Sequence, residues 1–257
     1  MSTALGYCLL DAAGRVVAES DAQRPYYAAS TIKLTVMAAV ARRIDAGELD
    51  WSDTLEVRSL FESGVTGAPP FAVAEDDRDD RMPPDGERMT VRELVMAMIR
   101  RSSNEATNLL IPVVGLAAIA AVHDDAEATG CRLERLIGDT AARDAGATNE
   151  VTPLGLARLL HRIVTGSLAS LESTAVMIEA LRGQEYPCIA EVLPAGTVWG
   201  SKSGWVPGIE HDAAFIGTPG DDGLRVLAVC TEGFADREAR PEIHRVTTAL
   251  ITDFNGM

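Results

Sequence analysis

What most limits the fold of this chain is where its strand-like runs fall: at the two ends, with helical patterns between them. "TALGYCLLD" and "RVVAES" are apolar runs joined by the glycine-containing turn "AAG", which is hairpin spacing. After Pro194, "GTVWGSKSGW", "DAAFIGTP" and "LRVLAVCTEG" are again short apolar runs divided by Gly, Pro and Asp. Between the ends, "STIKLTVMAAVARRIDAG" has helical spacing and stops at Gly47, and "TVRELVMAMIRR" opens on a capping box, Thr90 with Glu93. "NEATNLLIPVV" and "GLAAIAAVHDDAEATG" continue in helical mode, as does "TPLGLARLLHRIVTG", with Thr152 as N-cap and Pro153 in the first turn. "LESTAVMIEALRG" is amphipathic, and a last helix is expected near "PEIHRVTTALITDF". Segment 56–89, rich in Gly, Pro and charge, reads as a long loop. The expected fold is α+β: one antiparallel sheet built from both termini and flanked by helices, with an all-helical lobe inserted in its middle. The boundaries are residues 1–29 and 154–257 for the sheet domain and 30–153 for the helical domain.

Composition removes several function classes. A net charge of −15 argues against a nucleic-acid or anionic-membrane surface, which needs a basic face. No apolar stretch reaches the ~18 residues of a membrane span. The N-terminus lacks the basic and apolar regions of an export signal, so a cytoplasmic location is expected unless a leader has been removed. Cys8, Cys131, Cys188 and Cys230 are widely spaced, with no metal-type pairing. They read as buried free thiols, and no metal or cofactor is expected.

Positive charge is almost entirely arginine. Of 23 basic residues only Lys33 and Lys202 are lysine, so those two positions need an amine that a guanidinium cannot replace. Ser30 stands at the start of the first helix with Lys33 three residues on, which places the two on one face with Cβ atoms about 5–6 Å apart. A serine hydroxyl is a poor nucleophile until a base takes its proton. Arginine does not deprotonate in proteins; lysine does once burial and a second cation lower its pKa, and Lys202 is the available second cation.

Two further groups join this pair: "RSSNEATNLL" carries Ser102-Ser103-Asn104, and "SKSG" carries Lys202-Ser203-Gly204. The ordered set STIK, SSN, KSG resembles the S-x-x-K, S-D-N and K-T-G signature of the penicillin-recognising serine hydrolases, most closely the class A β-lactamase group, over almost the whole chain. The resemblance implies Ser30 as nucleophile, Lys33 as its proton acceptor, and Ser102 as the bridge between the lysines that passes a proton to the leaving amine. It implies Asn104 for a substrate side-chain amide, Lys202 and Ser203 for a substrate carboxylate, and an oxyanion hole from the N–H groups of Ser30 and Trp205. Gly204 lets the strand backbone approach the acyl group closely. Ser203 keeps the hydroxyl of threonine, whereas Ser103 replaces an aspartate that in the family braces a loop.

The pattern departs from the family in two places. The glutamate that activates the deacylating water in class A enzymes falls here on Ile137, in a segment anchored by Arg135 and by Thr152-Pro153. Asp139, Asp144 and Glu150 are the nearby carboxylates, each more often a solvated residue or a turn cap, and Glu134 is expected to pair with an arginine. Where many class A enzymes place a carboxylate-binding arginine after the third motif, the chain has Glu210-His211-Asp212, and His211 reads as structural. Phe61 and Ser63 are expected at the mouth of the site. The expectation is a hydrolase of small amides, esters or β-lactams that acylates readily and turns penicillins over slowly. Its alternatives are a D-alanyl peptidase or esterase, or a covalent penicillin-binding protein that does not turn over.

Overall fold

A computed structural model describes residues 3–235 and 238–254, with side chains described to residue 251. The chain opens with hairpin strands β1 (Ala4–Leu10) and β2 (Val16–Ser20), then β3 (Tyr26–Tyr27), a 3-10 turn (Ala29–Ile32) and α1 (Lys33–Asp45). The segment expected as a loop contains short strands instead. There, β4 (Thr54–Glu56) pairs with β7 (Arg88–Thr90), and β5 (Leu60–Phe61) pairs with β6 (Phe71–Ala72). α2 (Val91–Met96) runs into a π-helical turn (Ala97–Arg101), followed by α3 (Asn104–Val114) and α4 (Leu116–Asp125). Then come β8 (Arg132–Leu133), α5 (Thr140–Asp144), β9 (Asn149–Val151), α6 (Pro153–Val164) and α7 (Leu171–Arg182). The chain returns through β10 (Trp199–Val206), β11 (Ile209–Ile216) and β12 (Arg225–Glu232) to α8 (Ala239–Phe254).

The main sheet has the order β10-β11-β12-β1-β2, so the N-terminal hairpin joins the C-terminal strands through an antiparallel β1–β12 ladder from Ala4↔Glu232 to Leu10↔Val226. Alternation along each strand divides the core. Cys8, Leu10, Ala213, Phe215, Val226 and Ala228 pack with the helices of the lobe. Leu9, Ala214, Leu227 and Val229 pack on the other face with Ile243 and Val246 of α8. The first of these clusters runs without a break from the sheet into the lobe, so the two parts share one interior.

Helix α1 lies at the centre of that interior. Every residue from Lys33 to Ala41 is buried, and no side chain caps its N-terminus. Its stability therefore comes from the apolar area it buries, at roughly 1.5–3 kcal/mol for each fully buried large side chain. Other helices start as the sequence predicts. Thr90 and Glu93 form the capping box of α2, and the Thr152 hydroxyl accepts from Gly155 N–H ahead of Pro153 in α6.

Candidate active site

Ser30 sits in the 3-10 turn just ahead of α1, and Lys33 is the first residue of that helix. The Lys33 Nζ lies 3.0 Å from Ser30 Oγ and 3.1 Å from Ser102 Oγ. Its nearest acceptors are the Ser102 carbonyl and Asn104 Oδ1, both at 2.7 Å. A neutral amine has two protons and one lone pair. The two carbonyl-type acceptors take the protons, and the lone pair is left for the hydroxyls. Lys33 is 0% exposed; burial, and after it the charge of Lys202, holds its pKa well below the ordinary lysine value. Lys202, also 0% exposed, is brought down to about 7 by burial, with the charge of Asp212 acting the other way. Its Nζ lies 3.2 Å from Ser102 Oγ and 2.6 Å from the Ser203 carbonyl. The Ser102 hydroxyl thus spans the two amines.

A local irregularity sets Ser102 in place. The π-helical turn after α2 ends with Ser102 in the left-handed region, φ +63°, and Ser103 N–H closes it onto the Ala97 carbonyl at 3.1 Å. Ser103 then caps α3, its hydroxyl accepting from Ala106 N–H. The bracing role that the resemblance gives to an aspartate at 103 falls to Glu105, whose carboxylate accepts from Asp79 N–H and from the Ser103 hydroxyl.

The third motif comes in on edge strand β10. Val206 pairs with Ile209 across the two-residue turn Pro207–Gly208, so that pair exchanges both backbone hydrogen bonds, and alternation points Trp205 N–H away from β11. A Cβ on Gly204 would lie 2.7 Å from Ser30 N and 2.9 Å from Thr31 N, so only glycine permits this approach. The glycine thus brings β10 against the backbone of the turn that carries Ser30. Two clefts meet at Ser30, of about 390 and 540 Å³, and both are also lined by Asn104 and Trp205. The Trp205 side chain is 51% exposed between them.

A family model described as "Beta-lactamase enzyme family" matches residues 2–254. The chain belongs to that family. Among solved structures it resembles a β-lactamase from Sphaerobacter thermophilus, at 30% identity and TM-score 0.83, covering 100% of this chain and 92% of that one. An ancestral class A β-lactamase matches at 25% identity and TM-score 0.77, covering 97% and 94%. PBP-A matches at 20% identity and TM-score 0.81, covering 99% and 91%; this last likeness is one of fold. The β-lactamase-like family expected from the three motifs and the α+β fold expected from strands at both ends are therefore correct.

The loop after α4 borders the smaller cleft. Ile137 lines the smaller cleft together with Ser30. Asn108 clamps its backbone, accepting from Ile137 N–H and donating to the Ile137 carbonyl, each at 2.8 Å. The loop carboxylates are used elsewhere. Asp139 accepts from Ser63 Oγ and from the N–H groups of Gly64 and Ala142; burial raises its pKa, but these donations outweigh it and hold it below the ordinary value. Asp144 pairs with Arg143, Glu150 with Arg132, and Glu134 with Arg132 and Thr148 N–H.

Phe61 and Ser63 depart from expectation, His211 follows it, and Arg240 adds to it. Phe61 and Ser63 line neither cleft: Phe61 is buried against Phe71, which does line one, and Ser63 holds Asp139. His211 is fully buried, with Nδ1 accepting from Thr231 N–H and Nε2 therefore donating to the Tyr27 carbonyl; burial lowers its pKa, so it is a neutral structural ring. The cation beside the third motif is instead Arg240 of α8, which lines the larger cleft with Ser203 and is held by Glu210 and Glu191. Asn108 and Glu105 carry a sequence signal, as polar residues inside the otherwise apolar run "NEATNLLIPVV". Arg240 carries none, because only the packing of α8 brings it near.

Proposed function

We propose that the protein is a serine acyl hydrolase in which Ser30 attacks the carbonyl of a small amide, ester or β-lactam and the resulting acyl-enzyme is released slowly. The observation that carries this reading is the buried Lys33 amine, 3.0 Å from Ser30 Oγ, with its best acceptors already satisfied. In this reading Lys33 takes the Ser30 proton, and the developing oxyanion is met by the N–H groups of Ser30 and Trp205, each worth about 10²–10³ in rate. The proton then passes to the leaving nitrogen through the Ser102 hydroxyl, while Lys202 and Ser203 hold a substrate carboxylate. Asn104 orients Lys33 through Oδ1 and donates one Nδ2 proton to the Asp77 carbonyl, which leaves its second N–H for a substrate amide in the cleft it lines.

Slow release is supported by the loop. Ile137 fronts the cleft where a base would have to face the ester, and Asp139, Asp144 and Glu150 are each bound elsewhere. The same observation favours a second reading, a covalent penicillin-binding protein with no turnover. A variant of PBP-A has been captured as an acyl-enzyme complex with penicillin G. Incubation of this protein with penicillin G, followed by intact-mass measurement, is expected to show one adduct on Ser30 that persists for many minutes. Rapid hydrolysis with no adduct would sink the slow-release reading, and neither adduct nor hydrolysis of any ester or β-lactam would sink the hydrolase itself.

A further inference from the structure

The smaller cleft ends on a cation that no carboxylate neutralises. Arg135 is 7% exposed and lines the same cavity as Ser30. Among the described residues no carboxylate oxygen comes within ion-pair distance of it. Its guanidinium makes two long donations, 3.3 Å each, to the Leu136 carbonyl and Tyr27 Oη. It lies over the Tyr27 ring at 5.7 Å, and its Nε is buried without a partner. An arginine carries five N–H donors and keeps its charge at any ordinary pH. Holding it out of water with so few partners is costly unless something else brings the anion.

The neighbouring elements show why the charge is unmatched. Asn149 of β9 faces the base of the loop, and it is a neutral amide. Its Oδ1 accepts from the N–H groups of Glu134 and Arg135, and its Nδ2 donates to the Arg135 carbonyl. The loop is therefore closed through backbone atoms, which leaves the guanidinium unspent. Asp139 feels the charge of Arg135, but its oxygens are occupied by Ser63, Gly64 and Ala142. The cleft that Ser30 and this cation share has apolar lining from Phe71, Val73 and Ile137, beside the polar Asp77, Asn104, Thr140 and Arg143.

We propose that Arg135 terminates an acyl-side subsite for a carboxylate, so that the preferred acyl donors carry a short aliphatic chain ending in an anion. The apolar wall takes the methylenes and the guanidinium takes the carboxylate, by the fork geometry that suits planar anions. This inference rests on the reading of Ser30 as the residue that is acylated. It differs from the carboxylate subsite proposed above at Lys202 and Ser203, of which Ser203 lines the larger cleft.

The test uses the full chain with Ser30→Ala, so that nothing is consumed. N-succinyl-, N-glutaryl- and N-adipoyl-glycinamide are titrated calorimetrically, each against the same compound with its terminal carboxylate converted to a carboxamide. At least one member is expected to bind about tenfold or more tighter as the carboxylate. Adding Arg135→Gln is expected to bring that ratio below about threefold, with Arg135→Lys in between because it keeps the charge and loses the fork. Equal binding of every matched pair overturns the inference. So does a ratio that survives Arg135→Gln, or one that vanishes in Arg143→Ala, which would hand the anion to the exposed arginine at the rim. Should Arg135→Gln fail to fold, a ratio unchanged in Arg135→Lys overturns it equally. Binding is read without acylation, so failure of this subsite and failure of the hydrolase reading show separately: the second appears only as absence of an adduct on intact Ser30.

Discussion

The two walls that face Ser30 are made of opposite materials. On one side, α1, the α2–α3 junction and β10 deliver two fully buried amines, each within 3.2 Å of the Ser102 hydroxyl. On the other, residues 134–150 deliver an isoleucine to the cleft and turn each carboxylate toward a backbone N–H or an arginine. On the proposed reading, the equipment for making an ester on a serine is separable from the equipment for hydrolysing it. On that reading the first needs low-pKa amines, which burial chiefly provides; the second needs a carboxylate held against water, and this loop uses its carboxylates in its own architecture.

The comparison breaks most sharply at Lys33. Lys33→Arg keeps the charge and removes the base, so the second-order rate of Ser30 acylation by penicillin G should fall by about 10²–10⁴. A rate within threefold of the parent would mean that the amine wall does not act on the proton. Ile137→Glu tests the opposite wall. It places a carboxylate in the cleft on a backbone that Asn108 already clamps, and it should shorten the lifetime of the adduct by about 10² while leaving its formation within a fewfold. An unchanged lifetime would show that some other group already activates the water.

The smallest effect is on stability against pH. Lys202 and Lys33 have folded-state pKa values below that of an unfolded lysine, so above about pH 7 the unfolded chain binds more protons than the native one. Stability should then rise with pH, by roughly 1 kcal/mol per unit from the Lys202 site, between pH 7 and 8.5. Beyond pH 9 the sign reverses. The thiols of Cys8, Cys131, Cys188 and Cys230 are raised by burial, so there the native state holds the extra protons and stability falls. Urea midpoints across pH 6.5–10 should show this maximum, and Lys202→Met should flatten its rising side.

Much of the amine-bearing wall was legible in the sequence because its parts are rare and ordered. Two lysines in an arginine-rich chain, each within three residues of a serine, form a signal that survives without coordinates, as do the strands at both ends. The opposing wall was legible only as an absence, an isoleucine where a glutamate is expected. That Asp139, Asp144 and Glu150 all face away depends on loop geometry, which acidic composition does not encode. Arg240, some thirty-five residues beyond the third motif, and Arg135, read only as a loop anchor, owe their positions to packing across distant elements. The short strands of 54–90 escaped because two- and three-residue ladders are too brief to show alternation.

The backbone of Ser102 has one further consequence. A serine held at φ +63° occupies a region where glycine rests at no steric cost and a side chain costs roughly 1–2 kcal/mol. Ser102→Gly should therefore melt no lower than the parent, and its acylation should slow at least tenfold because the hydroxyl between the amines is gone. A chain selected for endurance alone would drift toward glycine there, and this one keeps a tense residue at the junction of its two helices.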